Sequence, residues 1–169
     1  HFALPVDALA VAKRQGRLHR NFQGYSTQPD CDLIGLGVSS IGRMGGTYSQ
    51  NAKTMAEYID MLDQGQLPVV KGLALSRDDL IRRALIMAIM CQGHVQFDVF
   101  NEAWLIDVRT YFSAELLQLQ SMQSQGLVEL SEQGLLVTPS GWFFVRGVAM
   151  VFDKYLQANR NRTQFSKII

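Results

Sequence analysis

The 169-residue chain is 47% hydrophobic and 18% charged, values that exclude collagen-like, mucin-like and wholly disordered polypeptides. Its sixteen Lys and Arg nearly balance fifteen Asp and Glu for a formal charge of +1, so it lacks the overall basic field that marks strong nucleic-acid binders. The longest purely apolar run, residues 84–91, falls far short of the ~18 residues that suggest a membrane span, and a soluble, cytoplasmic chain with no membrane partner is expected.

The opening residues His1-Phe2-Ala3-Leu4-Pro5 carry neither an initiator Met nor a basic-then-apolar leader and read as a cut through a longer polypeptide. Asp7 opens a short helix-compatible run through Lys13, and two stretches rich in glycine and apolar or aromatic residues follow, to about Gly46. In the second, residues 32–38 (Asp-Leu-Ile-Gly-Leu-Gly-Val) read as a buried strand ending in glycines, because a strand covered on both faces shows near-continuous apolar character. Such a strand needs helices on its faces. The rest of the chain offers no complete parallel sheet for it, so its partners are expected upstream.

From Asn51 the pattern turns helical: Met55, Tyr58, Ile59 and Leu62 share one face, Gly65 ends the run and Pro68 lies beyond. Residues 47–75 are expected to be a connecting helix and linker. Ser76 with Asp79 forms a capping-box pattern for a helix through Leu80, Ile81, Ala84, Leu85 and Ala88 to Gly93. Ser113 is placed to cap a helix carrying Leu116, Leu117, Leu119 and Met122, closed by Gly126. Residues 127–130 and 135–138, joined by a polar Ser-Glu-Gln-Gly turn, predict a hairpin. Thr138 and Pro139 then open a last helix whose positions Trp142, Val145, Ala149, Phe152 and Leu156 keep helical spacing. The expected fold class is α+β, with residues 76–169 forming a mainly helical, winged-helix-like C-terminal domain that ends in a solvated tail carrying Lys154, Arg160, Arg162 and Lys167.

Cys31 and Cys91 form no CxxC pair, which predicts two reduced thiols, and His1, His19 and His94 share no metal-ligand spacing. Gly35-Leu36-Gly37-Val38-Ser39-Ser40 begins like a dinucleotide fingerprint but has Ser40 where the third glycine belongs; close backbone approach at a strand end explains these glycines equally well. A winged helix admits a DNA-binding reading, yet residues 113–125 carry Glu115 and no Lys or Arg, so nucleic acid is not expected. Arg82, Arg83 and Arg146 could grip a carboxylate, with surface pairing to Asp78 or Asp79 the plainer account for the first two. Trp142, Phe143, Phe144, Phe152 and Tyr155 are expected to pack in the core.

The run Asn21-Phe22-Gln23-Gly24-Tyr25-Ser26-Thr27-Gln28, followed by Asp32 through Ile41, resembles the oxygen-independent coproporphyrinogen III oxidases, and the similarity continues through Leu75 to Arg83, the hairpin after Gly126, Val151-Phe152-Asp153 and Gln164-Phe165-Ser166. The resemblance implies oxidative decarboxylation of two propionates of coproporphyrinogen III to vinyl groups in haem synthesis, with a 5′-deoxyadenosyl radical as oxidant. It implies S-adenosylmethionine and a [4Fe-4S] cluster in the intact enzyme, the cluster held by a CxxxCxxC loop that this chain lacks. The chain alone is therefore expected to be inactive, to hold no catalytic or metal-ligating residue, and to bind no cofactor tightly; its partners are the substrate and the missing N-terminal radical SAM region. The resemblance also makes residues 1–46 the end of an incomplete α/β, TIM-like barrel region, the C-terminal end of the radical SAM catalytic region, and in it Phe22, Gln23 and Ile41 resemble the family's S-adenosylmethionine contacts. The related haem-chaperone branch shows Asn-x-x-Tyr-Trp, and Ser26 after Tyr25 favours the oxidase branch.

Overall fold

The computed structural model describes residues 3–28 and 30–158. Helix α1 (Ala8–Arg14) is capped by the Asp7 carboxylate, which accepts from the Leu9 N–H at 2.8 Å, and it ends with Lys13 and Arg14 at the negative end of the helix dipole. Strands β1 (His19–Asn21) and β2 (Gly24–Ser26) pair as a hairpin with Arg20 opposite Tyr25. Phe22 and Gln23 form its two-residue turn.

Residues 32–38 do not form the expected buried strand. Leu33 alone pairs, in an isolated antiparallel bridge to Arg43, while Ile34 and Leu36 are 71% and 83% exposed. A run of this kind stays extended and buried only with layers on both faces. Here it has a neighbour along one edge, β3 (Ile41–Met44), and is pinned as a loop by Asn51, whose buried side-chain amide donates to the carbonyls of Gly35 and Gly37 at 3.0 Å each. The glycines do serve close approach: a Cβ on Gly35 would lie 2.9 Å from the Ile41 backbone.

Strands β3, β4 (Thr47–Asn51) and β5 (Val69–Ala74) form an antiparallel sheet in that order, with α2 (Met55–Asp63) between the last two. The α2 face seen in the sequence is present but buries no residue fully; Met55, Ile59 and Leu62 all remain exposed. Helix α3 (Arg77–Gln92) has both reciprocal bonds of the capping box and ends at Gly93 in the left-handed conformation, φ 75°. Its Ile81, Leu85 and Ile89 recur every four residues and are fully buried.

Next come β6 (His94–Gln96), α4 (Phe97–Trp104), α5 (Val108–Tyr111), α6 (Ser113–Ser124), β7 (Val128–Leu130) and β8 (Gly134–Val137), the three strands pairing antiparallel in the order β6-β8-β7. The hairpin lies where the sequence places it. Ser113 does not cap α6: Phe112 holds that position without a side-chain cap, because α5 runs almost directly into α6 and the Phe112 ring turns fully inward, 5.4 Å from Phe152 in edge-to-face contact.

The single last helix is instead three pieces: a 3-10 turn Gly141–Phe144, α7 (Val145–Met150) and α8 (Lys154–Ala158). The break has two causes, one local and one distant: Asp153 caps α8 by accepting from the N–H groups of Tyr155 and Leu156, and the Phe152 carbonyl is taken by Arg82 on α3. The break also splits the aromatic set: Phe152 is buried, while Phe143, Phe144 and Tyr155 are exposed. Arg160, Arg162 and Lys167 lie outside the described residues, but Lys154 is paired with Asp78 and Asp79 and is not part of a solvated tail. The architecture is mixed α/β, and the described strands close no barrel.

Candidate functional site

The β1–β2 hairpin, one face of the β3–β4–β5 sheet, one side of α3 and residues 152–155 enclose a groove of about 1030 Å³. All three residues singled out in the sequence line it. Phe22 stands at the hairpin turn, more than half exposed, with its ring edge-to-face on Tyr48 at 5.3 Å. Gln23 follows it, its backbone N–H donating to Asn21 Oδ1 at 2.9 Å, and this short-range bond sets the turn. Ile41 opens β3 opposite Gln50. Residues nineteen positions apart in the chain therefore line one groove, which the apolar side chains of Ile86, Met87 and Met90 on α3 also line.

Sequence reasoning missed the ion pairs that hold the groove's shape. Asp30 accepts from both Nη atoms of Arg83, at 2.9 and 2.8 Å, and from Arg43 at 2.6 Å, while Arg83 Nε donates to the Tyr48 hydroxyl at 3.0 Å. This ties the loop after β2 to the sheet and to α3. The Arg83 hydrogen bonds hold the Asp30 carboxyl below its ordinary range. Arg82 does pair with Asp78, as the sequence suggests, but also with Glu115 at 2.7 Å; Arg83 engages neither Asp78 nor Asp79 in an ion pair. Asp30 and Arg83 lie 53 positions apart, and no spacing rule relates them.

At the far end, Lys154 bridges Asp78 at 2.8 Å and Asp79 at 2.6 Å. Burial opposes ionisation of both carboxyls. Hydrogen bonds from Lys154, with Tyr111 on Asp78 and Ser76 on Asp79, outweigh it and keep both below their ordinary value of 3.8. The same bonds to Asp78 and Asp79 raise Lys154 above 10.5. Stability from the two carboxylates is complete above 3.8 and lost as the pH falls through their folded values; that from Lys154 is complete below 10.5 and lost only above it. The melting temperature is thus expected to be level between about pH 5 and pH 9 and to fall steeply in more acid solution. Asp79→Asn should flatten that acid limb in thermal denaturation followed by circular dichroism, and an unchanged limb would refute the assignment.

Both cysteines are free; Cys31 is exposed at the groove, and burial pushes the Cys91 thiol up to about 11. Among the described residues no three His, Cys, Asp or Glu side chains are grouped to hold a metal ion. An iron–sulfur cluster does not fit these donors; what the groove offers at Phe22, Ile41 and Gln23 is an aromatic ring, a branched aliphatic chain and an amide. Among the described residues no helix is long and apolar enough to cross a membrane.

Residues 75–144 match the family described as HemN C-terminal domain. The chain is 43% identical to an oxygen-independent coproporphyrinogen III oxidase of Salmonella typhimurium, over 100% of this chain and 37% of that protein. It is 42% identical to the protein of the same name from Thermostichus vulcanus, over 100% of this chain and 52% of that one. A solved structure, described as coproporphyrinogen III oxidase (HemN) from Escherichia coli, a radical SAM enzyme, superposes with a TM-score of 0.88 at 42% identity, covering 92% of this chain and 36% of that one. The chain thus spans about a third to a half of the length of these relatives.

Proposed function

We propose, for a chain whose residues 75–144 match the HemN C-terminal domain family, that it is the C-terminal part of an oxygen-independent coproporphyrinogen III oxidase. The reaction would convert two propionates of coproporphyrinogen III to vinyl groups, giving protoporphyrinogen IX in haem synthesis. S-adenosylmethionine and a [4Fe-4S] cluster would supply the radical chemistry when bound, the cluster being held by residues outside this chain. What supports this most directly is the groove that unites Phe22, Gln23 and Ile41.

In this reading Phe22 and Ile41 pack on the faces of the adenine of S-adenosylmethionine, and the Gln23 amide, with one donor and one acceptor group, meets its polar edge. The apolar side chains of α3 that line the groove would help exclude water from it. Residues 1–46 would be the end of the radical SAM region and 47–75 the connection. Residues 76–169 would be a winged-helix-like module used for packing and as a lid. The exposed Ile34, Leu36, Met55, Ile59 and Leu62 would face the upstream region. Use of α6 on DNA gains no support, because the helix carries no Lys or Arg to meet phosphate.

The test is anaerobic turnover. The intact polypeptide carrying this chain, reconstituted with iron and sulfide and given S-adenosylmethionine and a reductant, is expected to convert coproporphyrinogen III to protoporphyrinogen IX, while the 169-residue chain treated alike is expected to show neither turnover nor [4Fe-4S] absorbance. An intact protein without turnover, or a stoichiometric cluster on the chain alone, overturns the reading.

A further inference from the structure

The cations around the groove are held by carboxylates or, like Lys71, exposed to solvent. Arg43 and Arg83 share Asp30, Arg82 is held by Asp78 and Glu115, and Lys154 by Asp78 and Asp79. Arg20 is different. It sits at the centre of β1, half-buried, with its guanidinium carbon 5.5 Å from the centre of the Tyr25 ring across the hairpin. Its Nε is enclosed and has no hydrogen-bond acceptor, and no carboxylate pairs with it among the described residues. Tyr25, on which it rests, is fixed in turn by a 3.0 Å bond from its hydroxyl to the Met90 carbonyl of α3.

An enclosed charged donor without an acceptor is unfavourable, and structures rarely retain one unless a ligand completes it. The guanidinium fork matches a carboxylate with two parallel hydrogen bonds. Arg20 lines the groove and lies two residues before Phe22, so an acceptor reaching it would come from a molecule already held at the hairpin turn. We propose that Arg20 binds a carboxylate of the groove's ligand. The proposal rests on the functional reading above, which offers two such carboxylates, a propionate of the porphyrinogen and the amino-acid carboxylate of S-adenosylmethionine.

Arg20→Gln and Arg20→Met in the intact enzyme, the second retaining an apolar stem over Tyr25, separate these sources. Binding is read by fluorescence titration with coproporphyrin III, with its tetramethyl ester as the carboxylate-free control, and by equilibrium dialysis with S-adenosylmethionine. Both variants are expected to melt close to the wild type and to lose roughly tenfold to a hundredfold in affinity for one of the two carboxylate ligands, with Arg20→Lys restoring part of it. A loss confined to coproporphyrin III and absent for the ester assigns a propionate; a loss confined to S-adenosylmethionine assigns its carboxylate. If both variants bind both ligands within twofold of wild type, the Arg20 proposal falls and the groove reading stands. A wild-type enzyme that binds neither ligand overturns the groove reading and the Arg20 proposal with it.

Discussion

Gly141→Ala is expected to leave the chain unfolded or insoluble at physiological temperature, whereas Gly147→Ala, six residues on, should fold and melt slightly higher. A Cβ on Gly141 would lie 1.8 Å from the Leu127 carbonyl oxygen and 2.8 Å from its carbon. That carbonyl cannot retreat freely, because it accepts from the Thr138 N–H at 3.1 Å, and the Thr138 hydroxyl in turn accepts from the Gly141 N–H at 3.0 Å. Relieving the clash pulls the end of β8 away from the start of β7, whose Val128 and Val137 are both buried in the core. The cost should exceed ~4 kcal/mol, a large share of the ~5–15 kcal/mol that holds a domain folded. Gly147 lies inside α7 with nothing within 4 Å of its Cβ position, so alanine there removes backbone entropy from the unfolded chain and should add about 0.5–1 kcal/mol. Thermal melts of the two variants decide the matter; a Gly141→Ala protein that melts like the wild type contradicts the packing described here.

The parts of this fold that the sequence reveals are those decided within a few residues. Asp7 before α1, the Ser76–Asp79 box, Gly93 after α3 and the turn between β7 and β8 each satisfy backbone groups of their own neighbours, and a local rule is sufficient to find them. Where a local rule and a distant partner compete, it misleads. The spacing of Trp142, Val145, Ala149, Phe152 and Leu156 is that of one helix, yet Arg82, seventy residues away, takes the Phe152 carbonyl and Asp153 restarts the helix beyond it. Ser113 is a sound cap by composition, but the burial of Phe112 between α5 and α6 decides the geometry there.

Residues 32–38 show a different limit. Their apolar character describes an environment with cover on both faces, and the described residues supply an edge contact at Leu33 and a pair of hydrogen bonds from Asn51. The candidate site divides in the same way. The turn that presents Phe22 and Gln23 is set by Asn21 and Gly24 beside it, so it can be read locally. The Asp30–Arg83–Tyr48 lattice and the unmatched Arg20 appear only once α3 is laid against both strand pairs.

If the proposed function holds, Ile41→Asp in the intact polypeptide should lower porphyrinogen conversion by roughly a hundredfold or more, and Gln23→Ala by roughly tenfold, with cluster absorbance and far-ultraviolet circular dichroism unchanged. The larger effect follows from polarity: Ile41 presents a branched apolar surface to the groove, and a carboxylate there would either stay hydrated against the adenine that the proposal places on it or lose its water without a partner. Arg43, two residues along the same strand face, is already committed to Asp30 and to the Cys31 carbonyl and offers little compensation. Gln23 stands at the exposed turn, where its amide would add an oriented hydrogen bond whose loss is worth about one power of ten. A purely structural role for the two residues predicts something else: lower melting temperatures, and conversion lost only in proportion to the unfolded fraction. Measured S-adenosylmethionine affinity separates the accounts, because the binding role requires it to weaken in both variants while the fold persists. Variants that keep wild-type affinity and conversion would make Ile41 a packing residue and Gln23 a turn residue.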